Sequence, residues 1–370
     1  MAGSMHRHLT RIAVAAALVL GCGCLTSDDD DTTPTGWEIQ KASASVTVHL
    51  TAEFDTPRQL SLATLGWEDG LNVSRDGLHL YATYIPADFL SYVLNGDSTD
   101  PANLPPYKRG PTYTMDFDGS LVGATYEWLH SDIIYASRAS TAEEFSPWQL
   151  SGMARAVYSE GAVSAVFSGA DAIEMLYFTS NENYADQNDF KVITNTTPDP
   201  SGVGTFASAT INSSAIEDNP HIERVGANNL VLFWDSEDRA GGAGGHDLWY
   251  AASADDGATW SAPANVSSVN TSEKEHQPHL YQDGSDWLLY YSANHTDGKL
   301  AIYRRTLGTA GDWDSWGAAE LVLSAGNTVG IGEPTLTTDG DLLFIAVIEN
   351  EVDGSYYDRY DGDPWVAERK

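Results

Sequence analysis

The sequence predicts an all-β fold, a β-propeller of five four-stranded blades, with six blades as the alternative. Three observations lead to this prediction. A pattern of roughly 58 residues recurs along the chain. Each copy holds four short segments typical of strands, separated by polar turns that often contain Asp-Gly, without helical periodicity. Both cysteines, Cys22 and Cys24, precede the repeats, which excludes disulfides, cysteine-ligated zinc and a cysteine nucleophile from the folded part.

Each repeat begins with an acidic residue. The clearest copy starts at Glu217, and further copies start at Glu160, Glu275 and Glu333. The intervals between these four acids differ by no more than one residue, which a chance pattern would not maintain. Since repeats bury their core between neighbours, one ring of blades accounts for the length as a single domain, residues 41–370.

A fifth copy opens the set at Asp69. Its second and third strands are separated by an insert at residues 85–127, and loops of this length are usually functional or disordered. Segment 54–60 resembles the fourth-strand segment 145–150, so we expect an N-terminal strand to complete the last blade. Segment 364–367 competes for the same place, and a partial sixth blade follows if both segments pair.

The N-terminus has the layout of an export signal. Basic residues around Arg7 precede an apolar run at 12–20, which is too short to span a bilayer. The run leads into Cys22 in a context that resembles the lipobox of bacterial lipoproteins. We therefore expect a signal peptide at residues 1–21, a lipid anchor on Cys22 that faces the periplasm or the exterior, and an Asp-rich flexible tether at 22–40. The alternative is a plain secretory signal.

The chain is strongly acidic. It carries 53 Asp and Glu against 19 Lys and Arg, a formal net charge of −34. Nucleic-acid phosphates and anionic headgroups need clustered basic residues, so we expect neither as a partner. The chain also lacks the serine-elbow, phosphate-loop and His-Glu-x-x-His signatures. The Gly-rich segment 241–245 is interpreted as a wide hairpin loop, because it links two strands with no helix behind it.

One hairpin carries a recognisable motif, whose fixed positions are Ser253, Asp255, Gly257, Thr259 and Trp260. These residues resemble the Asp-box, or BNR repeat, of sialidases and many other propellers. Segments 74–81 and 337–344 resemble TolB-type, WD40-like (PD40-type) repeats. The resemblance implies a propeller and a structural role for the box at the outer rim. There the carboxylate accepts backbone N–H bonds, glycine permits a positive φ, and tryptophan packs between sheets.

The acids that begin the blades are the main site candidates, because the inner strands of a propeller start at the central channel. The candidate catalytic carboxylates are Asp69, Glu217, Glu275 and Glu333. Further candidates for ligand binding are Glu160, Asp218, His221, Arg224, His276 and His279. The five-blade glycoside hydrolases use three inner-strand carboxylates around the axis, and two converged carboxylates can act as general acid and base.

A structural role competes with catalysis at these positions. An acid repeated in every blade suits a bond to neighbouring backbone N–H groups, whereas catalysis needs distinct groups at distinct positions. A third possibility is a cation in the channel, either Ca²⁺ or a metal held by His221, His279 and adjacent glutamates. No other cofactor is expected. The Phe/Tyr-Arg-Ile-Pro motif of sialidases is absent, and no motif gathers Arg224, Arg304 and Arg305.

The sequence leaves enzymatic activity open and favours its absence. The primary hypothesis is an envelope-anchored, non-catalytic propeller that binds a glycan, a peptide or a partner protein across one face. The alternative is a glycoside hydrolase, sialidase-like or of the five-blade class, which uses inner-strand carboxylates.

Overall fold

The computed structural model describes residues 44, 46, 49–64, 67–85, 131–155, 158–184, 187–349 and 360–370. Within these ranges the protein contains strands and turns without a helix, and so no helix long and apolar enough to cross a membrane. The expected signal peptide, tether and lipidated Cys22 lie outside the described residues, as does all but the first residue of the expected insert.

The described strands form five antiparallel sheets of four strands each, which are the five blades. One short strand, β1 (Arg58–Gln59), precedes the first blade in the chain and belongs to the last. The first blade consists of β2 (Trp67–Val73), β3 (His79–Ile85), β4 (Asp132–Ser137) and β5 (Gln149–Leu150). The second consists of β6 (Glu160–Gly169), β7 (Ala172–Tyr184), β8 (Gln187–Thr196) and β9 (Thr205–Phe206).

The remaining blades repeat this order from the inner to the outer strand. The third blade consists of β10 (Ile216–Arg224), β11 (Leu230–Glu237), β12 (His246–Ser253) and β13 (Ala264–Asn265). The fourth consists of β14 (Glu275–Asp283), β15 (Asp286–Asn294), β16 (Leu300–Thr306) and β17 (Glu320–Leu323). The fifth consists of β18 (Gly330–Leu336), β19 (Leu342–Glu349), β20 (Tyr360–Ala367) and β1. This architecture confirms the predicted five-blade propeller.

The N-terminal strand closes the ring, as the sequence predicted. Arg58 pairs with Val366 and Gln59 with Trp365 in antiparallel register. The backbone N–H of Leu60 extends this pairing with a 2.9 Å bond to the carbonyl oxygen of Pro364. Segment 364–367 is therefore part of the third strand of the last blade, not a competing fourth strand, and no sixth blade forms within the described residues.

The hydrophobic core lies between the blades. Each described cluster of buried apolar side chains draws its members mainly from two neighbouring sheets. Between the second and third blades, for example, Phe190 meets Trp234 edge-on with ring centroids 6.2 Å apart. Tyr177 meets Trp260 in the same way at 6.3 Å. The aromatic residues of the repeats thus pack the sheets face to face around the ring.

Every inner strand contains a β-bulge at the same place, where the pairing register shifts. The first residue of each bulge has a left-handed φ between 46° and 58°. These five residues are Gly70, Ala162, Asn219, Gln277 and Glu333. Since a bulge redirects the strand and its side chains, the five bulges provide one structural frame in which the blades can be compared.

This frame corrects the sequence alignment of the first and last blades. The position two residues before the bulge is occupied by Glu68, Glu160, Glu217, Glu275 and, in the fifth blade, Ile331. The spacing of acids along the sequence instead assigns Asp69 and Glu333 to this position, which the structure corrects. Pro334 directly follows the bulged residue of its blade, as Pro220 and Pro278 do in theirs. An alignment of the blades on these prolines is therefore the correct one, and an alignment on the acids displaces the fifth blade by two residues.

Candidate active site

The repeated glutamates anchor the segment that enters each blade. Glu275 accepts a 2.9 Å bond from the backbone N–H of Thr271 and a 2.7 Å bond from the hydroxyl of that residue. Glu217 accepts the equivalent bonds from Ser213, at 3.1 and 2.5 Å. Glu68 and Glu160 bind the entering segments of the first two blades through Thr64 and Arg155. This repeated contact is what a structural acid at the start of every blade should make.

Two of these glutamates also form buried ion pairs. Glu160 lies 2.7 Å from the Arg155 guanidinium, and Glu217 lies 2.9 Å from that of Arg239. Burial raises the pKa of Glu160 to about 7 and that of Glu217 to about 6, and it also raises the pKa of Glu275. The partners of these carboxylates are thus residues of their own blades.

A different and asymmetric set of carboxylates lies at the propeller axis. Asp69 and Asp218 stand one residue before the bulge in the first and third blades, and Glu333 is itself the bulged residue of the fifth. Asp69 and Glu333 are joined by a side-chain hydrogen bond. Glu333 is only 7% exposed, whereas the two aspartates are half-buried. The structure thus brings together three residues that the sequence analysis named separately.

A small cavity that is open to solvent lies next to these carboxyl groups, and of the three groups Glu333 is the one that lines it. The five bulges line it, so that Glu333 contributes directly while Asp69 and Asp218 precede the lining residues Gly70 and Asn219. The Glu333 carboxyl can therefore meet a polar group of a ligand that reaches into the cavity.

Gln277 of the fourth blade fixes the position of Glu333. Its Nε2 donates to Glu333 Oε1 over 2.6 Å, and its Oε1 accepts from the backbone N–H of Glu333 over 3.1 Å. A Cβ atom at Gly332 would stand 2.7 Å from the Gln277 Oε1, so this two-way clamp needs glycine there. Sequence reasoning missed Gln277, although it directly follows Glu275 and His276 at the start of its repeat.

The environments of the axial carboxyls raise the pKa of all three groups. Burial and, secondarily, the charge of Asp69 raise the pKa of Glu333 well above its ordinary value. Burial also raises the pKa of Asp69, and burial with the charge of Asp235 raises that of Asp218 to about 7. The environment of Glu333 therefore favours its protonated form, while Asp218, with a pKa of about 7, can exchange a proton near neutral pH. A carboxyl group whose surroundings raise its pKa suits the role of general acid.

Asp235, which the sequence analysis did not name, supports this cluster from β11. Its Oδ2 accepts bonds from Asn219 Nδ2 (2.8 Å) and from the backbone N–H of Gln277 (2.9 Å), and its Oδ1 lies 3.2 Å from His246 Nδ1. Burial alone would raise the pKa of Asp235, but the hydrogen bond and charge of His246 lower it. The sequence feature that could have indicated Asp235 is its position directly after the apolar run 230–234.

His276 stands beside His246, with ring centroids 4.4 Å apart. Burial and the charge of His246 lower the pKa of His276 to about 3, so its imidazole is neutral. Asp235, His246 and His276 offer ligand atoms that all lie within 4.8 Å of one another, a group that could hold a metal ion.

His221 and His279 lie between blades. The Nε2 of His279 accepts a 3.1 Å bond from the backbone N–H of Leu336, and the Nε2 of His221 lies 3.2 Å from the carbonyl oxygen of Leu280. Serine and threonine at the same position in other blades make comparable bonds to the next blade. Burial lowers the pKa of both histidines, which are therefore neutral. Their geometry is that of packing residues.

The arginines that a sialidase-like site would need are not gathered. Arg224 pairs with Glu174 and Asp256 near the hairpin of the third blade. Arg304 pairs with Glu53 and Glu320, and the Arg305 side chain bonds the Tyr291 hydroxyl and two carbonyl oxygens. None of the three lines the axial cavity.

The 253–260 hairpin is held by its own side chains. Asp255 accepts bonds from the backbone N–H and hydroxyl of Thr259 at 2.9 and 2.7 Å, and from the Ser253 hydroxyl at 2.8 Å. Gly257 has φ +80° and donates its N–H to Ser253 Oγ over 2.9 Å. These bonds and the Trp260 packing described above serve the junction between the second and third blades.

No protein-family model matches the chain, and no curated protein matches it. Among solved structures, the chain is similar to a thermostable family-43 glycoside hydrolase, with 10% identity over 83% of this chain and 92% of that one and a TM-score of 0.50. An endo-arabinase from Bacteroides thetaiotaomicron matches at 12% identity over 89% and 98%, with a TM-score of 0.48. A mutant NanB sialidase from Streptococcus pneumoniae matches at 11% identity over 65% and 36%, with a TM-score of 0.38.

These neighbours, at such low identity, concern the fold, and they are mostly glycoside hydrolases. The likeness in fold to the family-43 glycoside hydrolase corrects the primary hypothesis of a non-catalytic binding propeller in favour of its alternative. That hypothesis rested on the export signal, the tether and the repeated blades, and also on the lack of an asymmetric acid set. The structure supplies such a set at Asp69, Asp218 and Glu333, because the register of the first and fifth blades differs from the sequence alignment.

Proposed function

We propose that this chain is a glycoside hydrolase whose acid and base lie at the propeller axis, with Glu333 as general acid and Asp218 as general base. The observation that carries the proposal is the hydrogen-bonded pair of Asp69 and Glu333 near Asp218, with Glu333 lining the axial cavity and both aspartates adjoining residues that line it. A repeated structural acid needs no such asymmetry.

Glycoside hydrolysis requires a proton for the leaving oxygen and a group that activates or replaces the attacking water. Burial and the neighbouring Asp69 raise the pKa of Glu333, which favours the protonated form that a general acid needs. Its carboxyl would donate that proton to the glycosidic oxygen, and Gln277 would keep it in place. Asp218, partly ionised, would take a proton from water, and Asp69 would stabilise the positive charge that develops on the sugar ring.

The charge of the site favours neutral sugars. Asp69, Asp218 and Asp235 adjoin residues that line the cavity, and an acidic sugar would be repelled by those that are ionised. The arginines that could bind a sugar carboxylate are engaged elsewhere. A carbohydrate ligand also agrees with the likeness in fold to a family-43 glycoside hydrolase. We therefore place the substrate among neutral glycosides.

The remaining sequence inferences stay part of the proposal. The 253–260 hairpin is the structural Asp-box that its residues resemble, and segments 74–81 and 337–344 are TolB-type repeats. Export and a lipid anchor on Cys22 would place the hydrolase at the cell envelope. Labelling cells with an alkyne fatty acid tests the anchor: the full chain should be labelled and the Cys22→Ser variant should not.

The experiment for the activity is a panel of neutral aryl glycosides, including pentofuranosides and pentopyranosides. We expect the wild type to hydrolyse at least one, and Asp218→Asn to lower kcat by about 10²-fold or more. The matched control is Glu275→Gln, a buried glutamate that anchors its own blade, which should keep kcat. Failure of the wild type on every glycoside, or an Asp218→Asn variant as active as the wild type, contradicts the proposal.

A further inference from the structure

We propose that Asp235, His246 and His276 form a binding site for a transition metal ion of the zinc class, at the junction of the third and fourth blades. The site adjoins the axial carboxyls, because Asp235 also accepts the backbone N–H of Gln277, but the inference does not depend on the proposed hydrolase activity. Its first support is proximity, because one ligand atom from each of the three residues lies within 4.8 Å of the other two.

The carboxylate of Asp235 is oriented for this role. It is fully buried, and its Oδ2 is held by Asn219 Nδ2 and by the backbone N–H of Gln277. These two bonds leave Oδ1, the atom next to the His246 ring, to face the histidines. Metal-binding carboxylates are commonly fixed in this way by hydrogen bonds to the oxygen that does not bind the ion.

The imidazole of His246 has a matching outer partner. Its Nδ1 lies 3.2 Å from Asp235 Oδ1, while its Nε2 lies 3.6 Å from the buried carboxylate of Glu237. A histidine that binds a metal through one nitrogen usually donates its other N–H to a carboxylate or carbonyl, which fixes the ring and its tautomer. Glu237 would serve His246 in this role.

His276 completes the set with a neutral ring. Among the described residues, its imidazole has ring contact with His246 and makes no side-chain hydrogen bond. Zinc–nitrogen and zinc–oxygen bonds of about 2.0–2.2 Å place neighbouring ligand atoms roughly 3.3 Å apart in a tetrahedron. The three side chains must therefore close slightly around the ion, which rotation of the two half-buried imidazoles allows.

The kind of ligand selects the kind of ion. Two imidazoles and one carboxylate suit Zn²⁺ and its neighbours, whereas Ca²⁺ takes six to eight oxygen ligands. The other close histidine pair shows the contrast. His221 and His279 have ring centroids only 4.1 Å apart, but the Nε2 of each ring contacts the backbone of the next blade. Proximity of two histidines alone does not make a site.

The test is metal titration of the untagged full chain after chelator treatment. We expect one equivalent of Zn²⁺ to bind, Co²⁺ to give visible absorption bands, and Zn²⁺ to raise the melting temperature. His276→Gln and Asp235→Asn should each weaken Zn²⁺ binding by more than about 100-fold, and Glu237→Gln by about 10-fold. The control is His295→Gln, whose ring bonds the Tyr303 hydroxyl and which should bind Zn²⁺ like the wild type.

Several outcomes would overturn the site. They are absence of stoichiometric Zn²⁺ binding, Zn²⁺ affinity in folded His276→Gln equal to the wild type, and a preference for Ca²⁺ over Zn²⁺. Melting of each variant without metal checks its folding. If Asp235→Asn does not fold, His276→Gln decides, because its side chain is half-buried and lies at the edge of the cluster. None of these readouts depends on hydrolysis.

Discussion

Asp69 of the first blade and Glu333 of the fifth share a side-chain hydrogen bond beside the propeller axis. Two ionised carboxylates in contact repel each other, so the pair retains one proton in the folded chain. In the unfolded chain, each side chain would release its proton near its ordinary pKa. Ring closure by β1 brings the first and last blades together and so creates this pair.

The retained proton makes folding stability depend on pH. The pKa of Glu333 is raised by burial and by Asp69, so the folded chain binds more protons than the unfolded chain above pH ~4.3. The stabilisation is present at acidic pH and is lost as pH rises toward the raised pKa, with a slope of about 1.4 kcal/mol per pH unit for one proton. Urea unfolding between pH 5 and pH 8 measures it.

The Glu333→Gln variant should flatten that slope by about one proton, because its side chain does not titrate. Exposed Glu143 provides the control, and Glu143→Gln should keep the wild-type slope. A slope that is the same in Glu333→Gln and the wild type would show that the pair holds no extra proton.

His279→Ala should lower the free energy of unfolding by about 2 kcal/mol, because it leaves the buried N–H of Leu336 without its acceptor. Its Zn²⁺ affinity should equal that of the wild type, in contrast to His276→Gln. Denaturant unfolding and metal titration of the same preparation measure both quantities. Loss of Zn²⁺ binding in a folded His279→Ala variant would show that the metal binds at His221 and His279, which contradicts the site at His246 and His276.

Gly257→Ala should destabilise the hairpin at the junction of the second and third blades. Gly257 has φ +80°, and an added Cβ would stand 2.4 Å from Met175 Cε. We expect a loss of at least about 1–2 kcal/mol from the backbone conformation alone. Gly169→Ala is the matched control, since a Cβ there meets nothing within 4 Å. Equal melting temperatures for the two variants would refute this explanation.

Removal of β1 should open the ring. A chain that starts at residue 63 lacks buried Phe54, Leu60 and Leu62 and the pairing with β20, and should lose at least about 5 kcal/mol of stability. A chain that starts at residue 44 keeps all of these contacts and should melt like the longer chain. Calorimetry of both truncations gives the comparison, and similar melting of the two would argue against closure by β1.

The fold was largely predictable from the sequence, because each repeat carries its own strands and turns. The period gave the blade count, and the likeness of segment 54–60 to 145–150 gave the closing strand. These are local patterns, and repeats contact only their neighbours, so local patterns suffice to predict the architecture.

The site was only partly predictable, because it depends on register and on contacts between blades. Asp69, Asp218 and Glu333 were all named as candidates, yet Glu217 and Glu275 were ranked beside them. A spacing of acids does not show which one lies at the bulge. The roles of Gln277 and Asp235 arise from bonds to other blades, which no pattern within one repeat reveals.

The general acid is the centre of the proposed mechanism, and leaving-group dependence tests it most directly. For Glu333→Gln, we predict a loss of about 10²–10⁴-fold in kcat/KM on glycosides whose leaving group needs a proton. On a dinitrophenyl glycoside, whose leaving group departs without protonation, the loss should be small. An equal loss on both kinds of substrate, or no loss on either, would contradict the assignment of Glu333 as the acid.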